Sequence, residues 1–186
     1  MKDLGDLHCF LGVQVLRTDA SGLFLSQNKY VSDLLRKFPL HIVKPVTTPV
    51  VSRVTLSMFD GELLIDPTYY RSMGALQYLT MNRPDIAYAG TLNFGIFLYS
   101  SSSPTVVISY SDVDWAGCPN TCRSTTGYVV FLGKNLISWR SKKQPIVSKS
   151  STKAKYRVVA YIAAETIWLK KLLADIGNFL RHPVIV

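Results

Sequence analysis

SKSSTKAKYRVVAYIAAETIWLKKLL (residues 148–173) reads as one long helix, and what precedes it decides the fold. Val158, Val159 and Ile162 recur at helical spacing, and Lys155 falls in line with them at i+3, i+4 and i+7, on the stripe expected to face a sheet. Ser150 is placed to cap the N-terminus. A capping serine is commonly followed three residues later by Glu or Gln, and acidic side chains suit the positive end of the helix dipole. Here that position is Lys153, and Lys155 follows. Either the lysines hold a phosphate backbone or they stand where residues with another task would be.

Working outward, three strand-like runs lead into the helix: TVVISYS (105–111), GYVVFLG (127–133) and NLISWRS (135–141). The C-terminal HPVIV (182–186) reads as the start of a buried strand. Three β-runs, a helix and a further β-run predict a mixed sheet with one long helix packed on it, an α/β (α+β) arrangement. Toward the N-terminus, LHCFLGVQVLR (7–17) and GLFLSQ (22–27) flank the turn DASG and suggest a hairpin. SQNKYVSDLLRKF (26–38) reads as a helix, with Tyr30, Leu34, Leu35 and Phe38 on one face and Pro39 as its stop. Residues 39–57 read as an extended connection. A further helix is expected from Asp66, as N-cap, and Pro67 at the first helical position. SSSSP (100–104) reads as a linker.

Of the 186 residues 48% are hydrophobic and 18% charged, an ordinary globular balance. No apolar run reaches the roughly 20 residues of a membrane span, and the first residues lack the apolar core of a signal peptide, so an intracellular setting is expected. Three cysteines are too few for a disulfide scaffold. Cys118 and Cys122, in GCPNTC, lack the second pair that a four-ligand zinc site needs and read as a plain loop. The net charge of +9 is uneven: residues 1–100 hold nine Lys/Arg against eight Asp/Glu, and residues 101–186 twelve against four. A basic half-chain suits an anionic partner such as nucleic acid, or is solvated surface.

Several ordered blocks carry a resemblance. MKDLGDLHCFLGVQV, LSQNKYVSDLLRKF, DPTYYRSMGALQYLTMNRPDIAYA, YSDVDWAGCPNTCRSTTGYVVFLGKNLISWRSKKQ and SSTKAKYR resemble consecutive segments of copia-type LTR-retrotransposon Pol polyproteins, from the end of the reverse transcriptase into its RNase H domain. The resemblance implies a reverse-transcriptase palm and thumb remnant over 1–90, a junction over 91–104 and a truncated RNase H-like domain over 105–186. It also implies that the polymerase carboxylates lie upstream of Met1. Near Gly90 the family carries a helical segment of about thirty residues where RPDIAYA here runs into GTLNFGIFLY, which implies an internal deletion. Apolar surface uncovered by such a loss costs roughly 25 cal/mol per Å².

Two-metal phosphodiester cleavage needs several carboxylates converging on a pair of hard cations, with Mg²⁺ as the ancestral cofactor. In the resemblance Asp112 of YSDVDW holds the first ligand position, and Asp114 is a weaker candidate that reads better as a loop residue. The second ligand is the latter Glu of an S-S-x-E-A-E-Y pattern. This sequence reads Ser150-Ser151-Thr152-Lys153-Ala154-Lys155-Tyr156, so Lys155 stands on the ligand position, its ammonium expected to point at Asp112 and to pair with it. A +1 charge about 5 Å from a +2 ion, at an effective dielectric near 20, is repelled by roughly 6 to 7 kcal/mol. Millimolar metal affinity is only about 4 kcal/mol. The next family ligands would follow the strand beginning at PVIV, beyond Val186.

The expectation is a catalytically inactive remnant of a copia-type polyprotein, with neither a working metal site nor a cofactor. The alternative is a non-catalytic nucleic-acid-binding module, weak and nonspecific, using Arg140, Lys142, Lys143, Lys149, Lys153, Lys155 and Arg157. Trp115, Trp139 and Tyr156 would then serve as stacking groups. Restoring the two inferred glutamates at 153 and 155 would remove four units of charge, so much of the basicity follows from those two positions.

Overall fold

The computed structural model describes residues 8–10, 12–18, 22–37, 57, 61, 65–68, 70, 74, 95–100, 106–180 and 182–186. The chain forms two compact units, one of Met1–Val54 with Glu62–Ser100 and one of Thr55–Gly61 with Ser101–Val186. The expected connection over 39–57 lies almost wholly outside the described residues, as do the segment around Gly90 and most of the junction over 91–104.

The first unit holds a four-stranded antiparallel sheet in sequence order: β1 (Cys9–Phe10), β2 (Val13–Thr18), β3 (Gly22–Ser26) and β4 (Ile96–Tyr99). The β2–β3 hairpin closes where the DASG turn was expected, with Thr18 opposite Gly22. The single strand expected over 7–17 is instead two. Gly12 takes a φ of +79°, a region open to glycine at no steric cost, and folds Phe10 back opposite Val13. β4 has no counterpart in the sequence reading. Its four residues pair with β3, and Phe97 packs on Phe24 with ring centroids 4.7 Å apart. Helix α1 spans Asn28–Lys37, and among its described side chains Val31 and Leu34, three apart, are the buried ones; Leu35 and Phe38 of the expected face lie outside the described side chains. Of the helix expected after Asp66, Pro67, Thr68, Tyr70 and Gly74 are helical, and the Asp66 carboxylate accepts the Thr68 N–H at 2.8 Å. The remainder of that helix lies outside the described residues.

The second unit is built on three antiparallel strands, β5 (Val107–Asp114), β6 (Thr125–Leu132) and β7 (Asn135–Lys143), followed by helix α2 (Ser151–Asp175). Alternation sorts the sheet into two faces. Val107 lies opposite Leu132, Ser109 opposite Val130 and Val113 opposite Thr126, and these side chains face α2. The core is Val107, Tyr128, Val130, Val158, Ile162 and Leu169, with Val113, Leu132, Ile137, Leu180 and Val184 packed around it. Ile162 is fully enclosed, worth about 1.5 to 3 kcal/mol relative to exposure.

Along α2 the buried residues are Ala154, Val158, Ile162, Thr166, Leu169 and Leu173. Val158 and Ile162 are buried as expected, but Ala154 takes the buried place foreseen for Lys155, and Val159 is 45% exposed. The physical reason is room. A methyl group lets the helix start approach the sheet, whereas an ammonium there would have to shed its water. α2 ends in a Schellman motif: Gly177 has φ +82°, its N–H donates to Ala174 O at 2.9 Å, and the Asn178 N–H donates to Leu173 O at 2.8 Å.

The C-terminal segment departs from the expected buried strand. Ile185 forms an isolated parallel bridge with Ile108, through Ile185 N–H to Val107 O at 3.0 Å and Ser109 N–H to Ile185 O at 2.9 Å, yet it is 55% exposed. This bridge supplies the parallel character of the sheet; the named strands are all antiparallel.

Candidate functional site

The candidate site is the end of the second unit where β5 finishes and α2 begins. Ser150 caps α2: its hydroxyl accepts the Lys153 N–H at 3.2 Å, and the first turn contains no acidic residue. Lys153, Lys155 and Tyr156 are exposed. Asp112 is exposed too, and its Oδ1 accepts the neighbouring Val113 N–H at 2.8 Å. Because Val113 belongs to the face that α2 covers, alternation puts Asp112 on the other face. The expected Lys155–Asp112 ion pair is not formed among the described residues. Asp114 folds back on its own turn, its carboxylate occupying the space beside Gly117 that a Cβ there would fill. No group of three or more His, Cys, Asp and Glu among the described residues is placed to hold a metal ion.

What holds the helix start in place is a residue the sequence reading did not single out. Gln144, 1% exposed, donates from Nε2 to Thr126 Oγ1 at 3.1 Å and to Ala154 O at 3.2 Å, and its Oε1 accepts from Ser148 Oγ at 2.9 Å. Its backbone N–H donates to Ser124 O at 2.8 Å. A single amide thus ties β6, the 145–150 loop and the first turn of α2 together. Arg157, expected among the nucleic-acid contacts, works on the same loop instead, donating to Ile146 O at 2.9 Å and Ser148 Oγ at 3.1 Å. Trp115 does likewise through Nε1 to Ser148 O at 2.9 Å. The only sequence signal for Gln144 was a polar, uncharged residue between KK and a proline.

Of the other expected cations, Arg140, Lys142, Lys143 and Lys149 are exposed. Lys143 approaches the Cys118 sulfur, Nζ to Sγ 3.1 Å. The Thr121 hydroxyl, then the Lys143 ammonium and the Thr121 backbone, bring the Cys118 thiol down to about 6. These contacts favour the thiolate form of Cys118, which is buried, while Cys122 is exposed; both cysteines are free. Among the proposed stacking groups Tyr156 is 72% and Trp115 48% exposed, but Trp139 is half-buried with its Nε1 enclosed and without a partner. Burial removes Trp139 from the candidates. No helix among the described residues is long and apolar enough to cross a membrane.

The chain is 41% identical, over its whole length, to the retrovirus-related Pol polyprotein from transposon RE1 of Arabidopsis thaliana, of which it spans 14%. It is 42% identical over 90% of its length to an uncharacterized mitochondrial protein of Arabidopsis thaliana, of which the match covers 80%. It is 32% identical over its whole length to the retrovirus-related Pol polyprotein from transposon TNT 1-94 of Nicotiana tabacum, covering 16% of that protein. The alignment with the RE1 polyprotein runs over 214 positions against the 186 residues here, leaving about 28 positions of the relative without a counterpart. No family model matches the chain. No solved structure matches it either. Identity at this level along the whole chain places the protein in the retrovirus-related Pol polyprotein family of copia-type transposons.

Proposed function

We propose that this chain is a catalytically inactive form of the Pol segment it represents, descended from the end of a reverse transcriptase (1–90) and an RNase H-like domain (105–186). The observation that carries the reading is the start of α2, where Lys153, Lys155 and Arg157 stand in the first two turns without an acidic residue in the first. Metal-assisted cleavage needs carboxylates there, because a hard divalent cation takes oxygen ligands and an ammonium repels it. Exposed to solvent, Lys155 can swing away from a cation, but swinging does not supply the missing oxygen. The 28 or so unmatched positions support the inferred internal deletion. Reverse transcription and hybrid cleavage are then properties of the ancestral polyprotein.

The test is a cleavage assay. Purified protein incubated with an RNA/DNA hybrid and Mg²⁺ or Mn²⁺ is expected to release no product. Metal-dependent cleavage that disappears in Asp112→Asn would overturn the reading.

A second reading, weak and nonspecific nucleic-acid binding, is supported by the exposed cations Lys142, Lys149, Lys153 and Lys155. Phosphate contacts of this kind are lost steeply with salt. A salt slope that flattens in Lys153→Glu/Lys155→Glu would support it, and an unchanged slope would exclude the helix start as the contact.

A further inference from the structure

The sheet face that α2 packs on is only partly covered. The helix lies over β5 and β6, while Arg140 and Lys142 of β7, opposite Tyr128 and Thr126, extend that face beyond it. There a cavity of about 310 Å³ opens, lined by Arg123, Arg140, Lys142, Lys143, Tyr128 and Tyr161 among others, and by no acidic residue. Four cations thus converge on one concave surface. Among the described residues Arg123 Nε donates to Thr121 Oγ1 at 3.3 Å, Lys143 reaches the Cys118 sulfur, and Arg140 reaches the Tyr128 hydroxyl, which the Glu165 carboxylate also contacts. The nearby Glu165 carboxylate is engaged by Ser138 Oγ at 2.6 Å. Four cations beside a single carboxylate leave an excess of positive charge that raises the free energy of the empty site, and an anion bound among them relieves it.

We propose that this cavity is a binding site for a nucleoside monophosphate, with the phosphate on Arg123, Arg140 and Lys142 and the nucleoside against Tyr161. The chemistry of the wall selects phosphate. Guanidinium groups present planar pairs of donors that match phosphate oxygens bidentately, and a flexible ammonium beside them adds a point charge. The volume falls at the lower end of small-molecule sites, enough for a single nucleotide and too small to engulf a duplex. Tyr161, 41% exposed on the α2 side of the cavity, supplies an aromatic surface for a base. The site is separate from the lysines at the helix start, since Lys149, Lys153 and Lys155 are not among its lining residues. It goes beyond the inactive-segment reading, which requires no small-molecule site.

Calorimetric titration of the full chain with AMP, adenosine and inorganic phosphate tests the proposal. AMP is expected to bind, with adenosine and inorganic phosphate each weaker by about tenfold or more, the loss expected when a charged hydrogen-bonding group or an aromatic contact is removed. Arg140→Gln/Lys142→Gln should weaken AMP by about tenfold or more, Arg140→Lys by less, and Lys153→Gln/Lys155→Gln by less than about twofold. The urea midpoint of each variant, followed by tryptophan fluorescence, confirms that it is folded. Absence of AMP binding to the unmodified chain overturns the proposal. So does equal binding of adenosine, equal binding of phosphate alone, or an equal loss in both double variants, which would mark diffuse surface charge. None of these outcomes depends on whether the chain cleaves a hybrid.

Discussion

Replacing Gln144 with leucine would remove one buried amide and nearly nothing else, since the two side chains are similar in volume. The amide makes three side-chain hydrogen bonds, to Thr126 Oγ1, to Ala154 O and from Ser148 Oγ. A net contribution of about 1 kcal/mol each gives roughly 3 kcal/mol, with some offset from the apolar replacement and some addition from the Thr126 hydroxyl, which loses its Gln144 partner. Thr126 and Ser148 are 4% and 3% exposed, so water does not readily replace the lost bonds. The unit reports on itself: the three tryptophans, Trp115, Trp139 and Trp168, all lie within Ser101–Val186. In urea, with a slope of about 1 kcal/mol per M for a unit of this size, the fluorescence midpoint should fall by roughly 2 to 3 M. Thr126→Val, which removes one bond, should cost about 1 kcal/mol, and Ser148→Ala, which also removes the Arg157 contact, somewhat more; both should be much less than additive with Gln144→Leu. A Gln144→Leu midpoint within about 0.5 M of the parent would refute the view that this amide holds the helix start to the sheet.

Two further outcomes follow from the same region. Ser150→Ala removes the N-cap of α2 and should cost about 1 kcal/mol, whereas Ser150→Asp keeps an accepting oxygen and adds charge of the sign the helix start favours, so the same urea titration should place it at or above the parent. The Cys118 thiol, brought down to about 6 by Thr121 and Lys143, contributes stability that is fully present above the thiol's unfolded value and is lost as the pH falls through about 6. Thiolate absorbance of a Cys9→Ser/Cys122→Ser variant should therefore titrate near pH 6, and Lys143→Met should move the midpoint upward; an unmoved midpoint would show that Lys143 does not act on the sulfur.

Much of the second unit was legible because its signals are local. The three β-runs, the serine cap and the length of α2 follow from alternation, helical spacing and a hydroxyl at the right place, and each appears where expected to within a few residues. The errors arise where a local pattern admits two answers. LHCFLGVQV alternates well enough for one strand, and only the pairing of Phe10 with Val13 shows that Gly12 divides it. Lys155 lies within one residue of the buried line, and spacing over two turns does not distinguish that line from its neighbour. β4 consists of four residues whose strand state is made by pairing with β3. The cations of the helix start were legible in sequence, but not the wiring around them. Arg157 and Trp115 look like nucleic-acid contacts in sequence and serve the 145–150 loop in the fold.

The sequence by itself determined the family, the helix that carries Lys153 and Lys155, and the absence of an acidic side chain from its first turn, because these depend on residue identity and order. The tertiary structure decided which side chains meet. It set Ala154 rather than Lys155 against the sheet, Asp112 on the face away from α2, and Gln144 at the centre of the hydrogen bonds that hold the helix start. It also gathered Arg123, Arg140, Lys142 and Lys143 around one cavity, though they come from a loop and a strand separated by the whole of β6. The physical reason is that burial and hydrogen bonding act between atoms a few ångströms apart in space, and the pairing of β6 with β7 brings distant residues into that range.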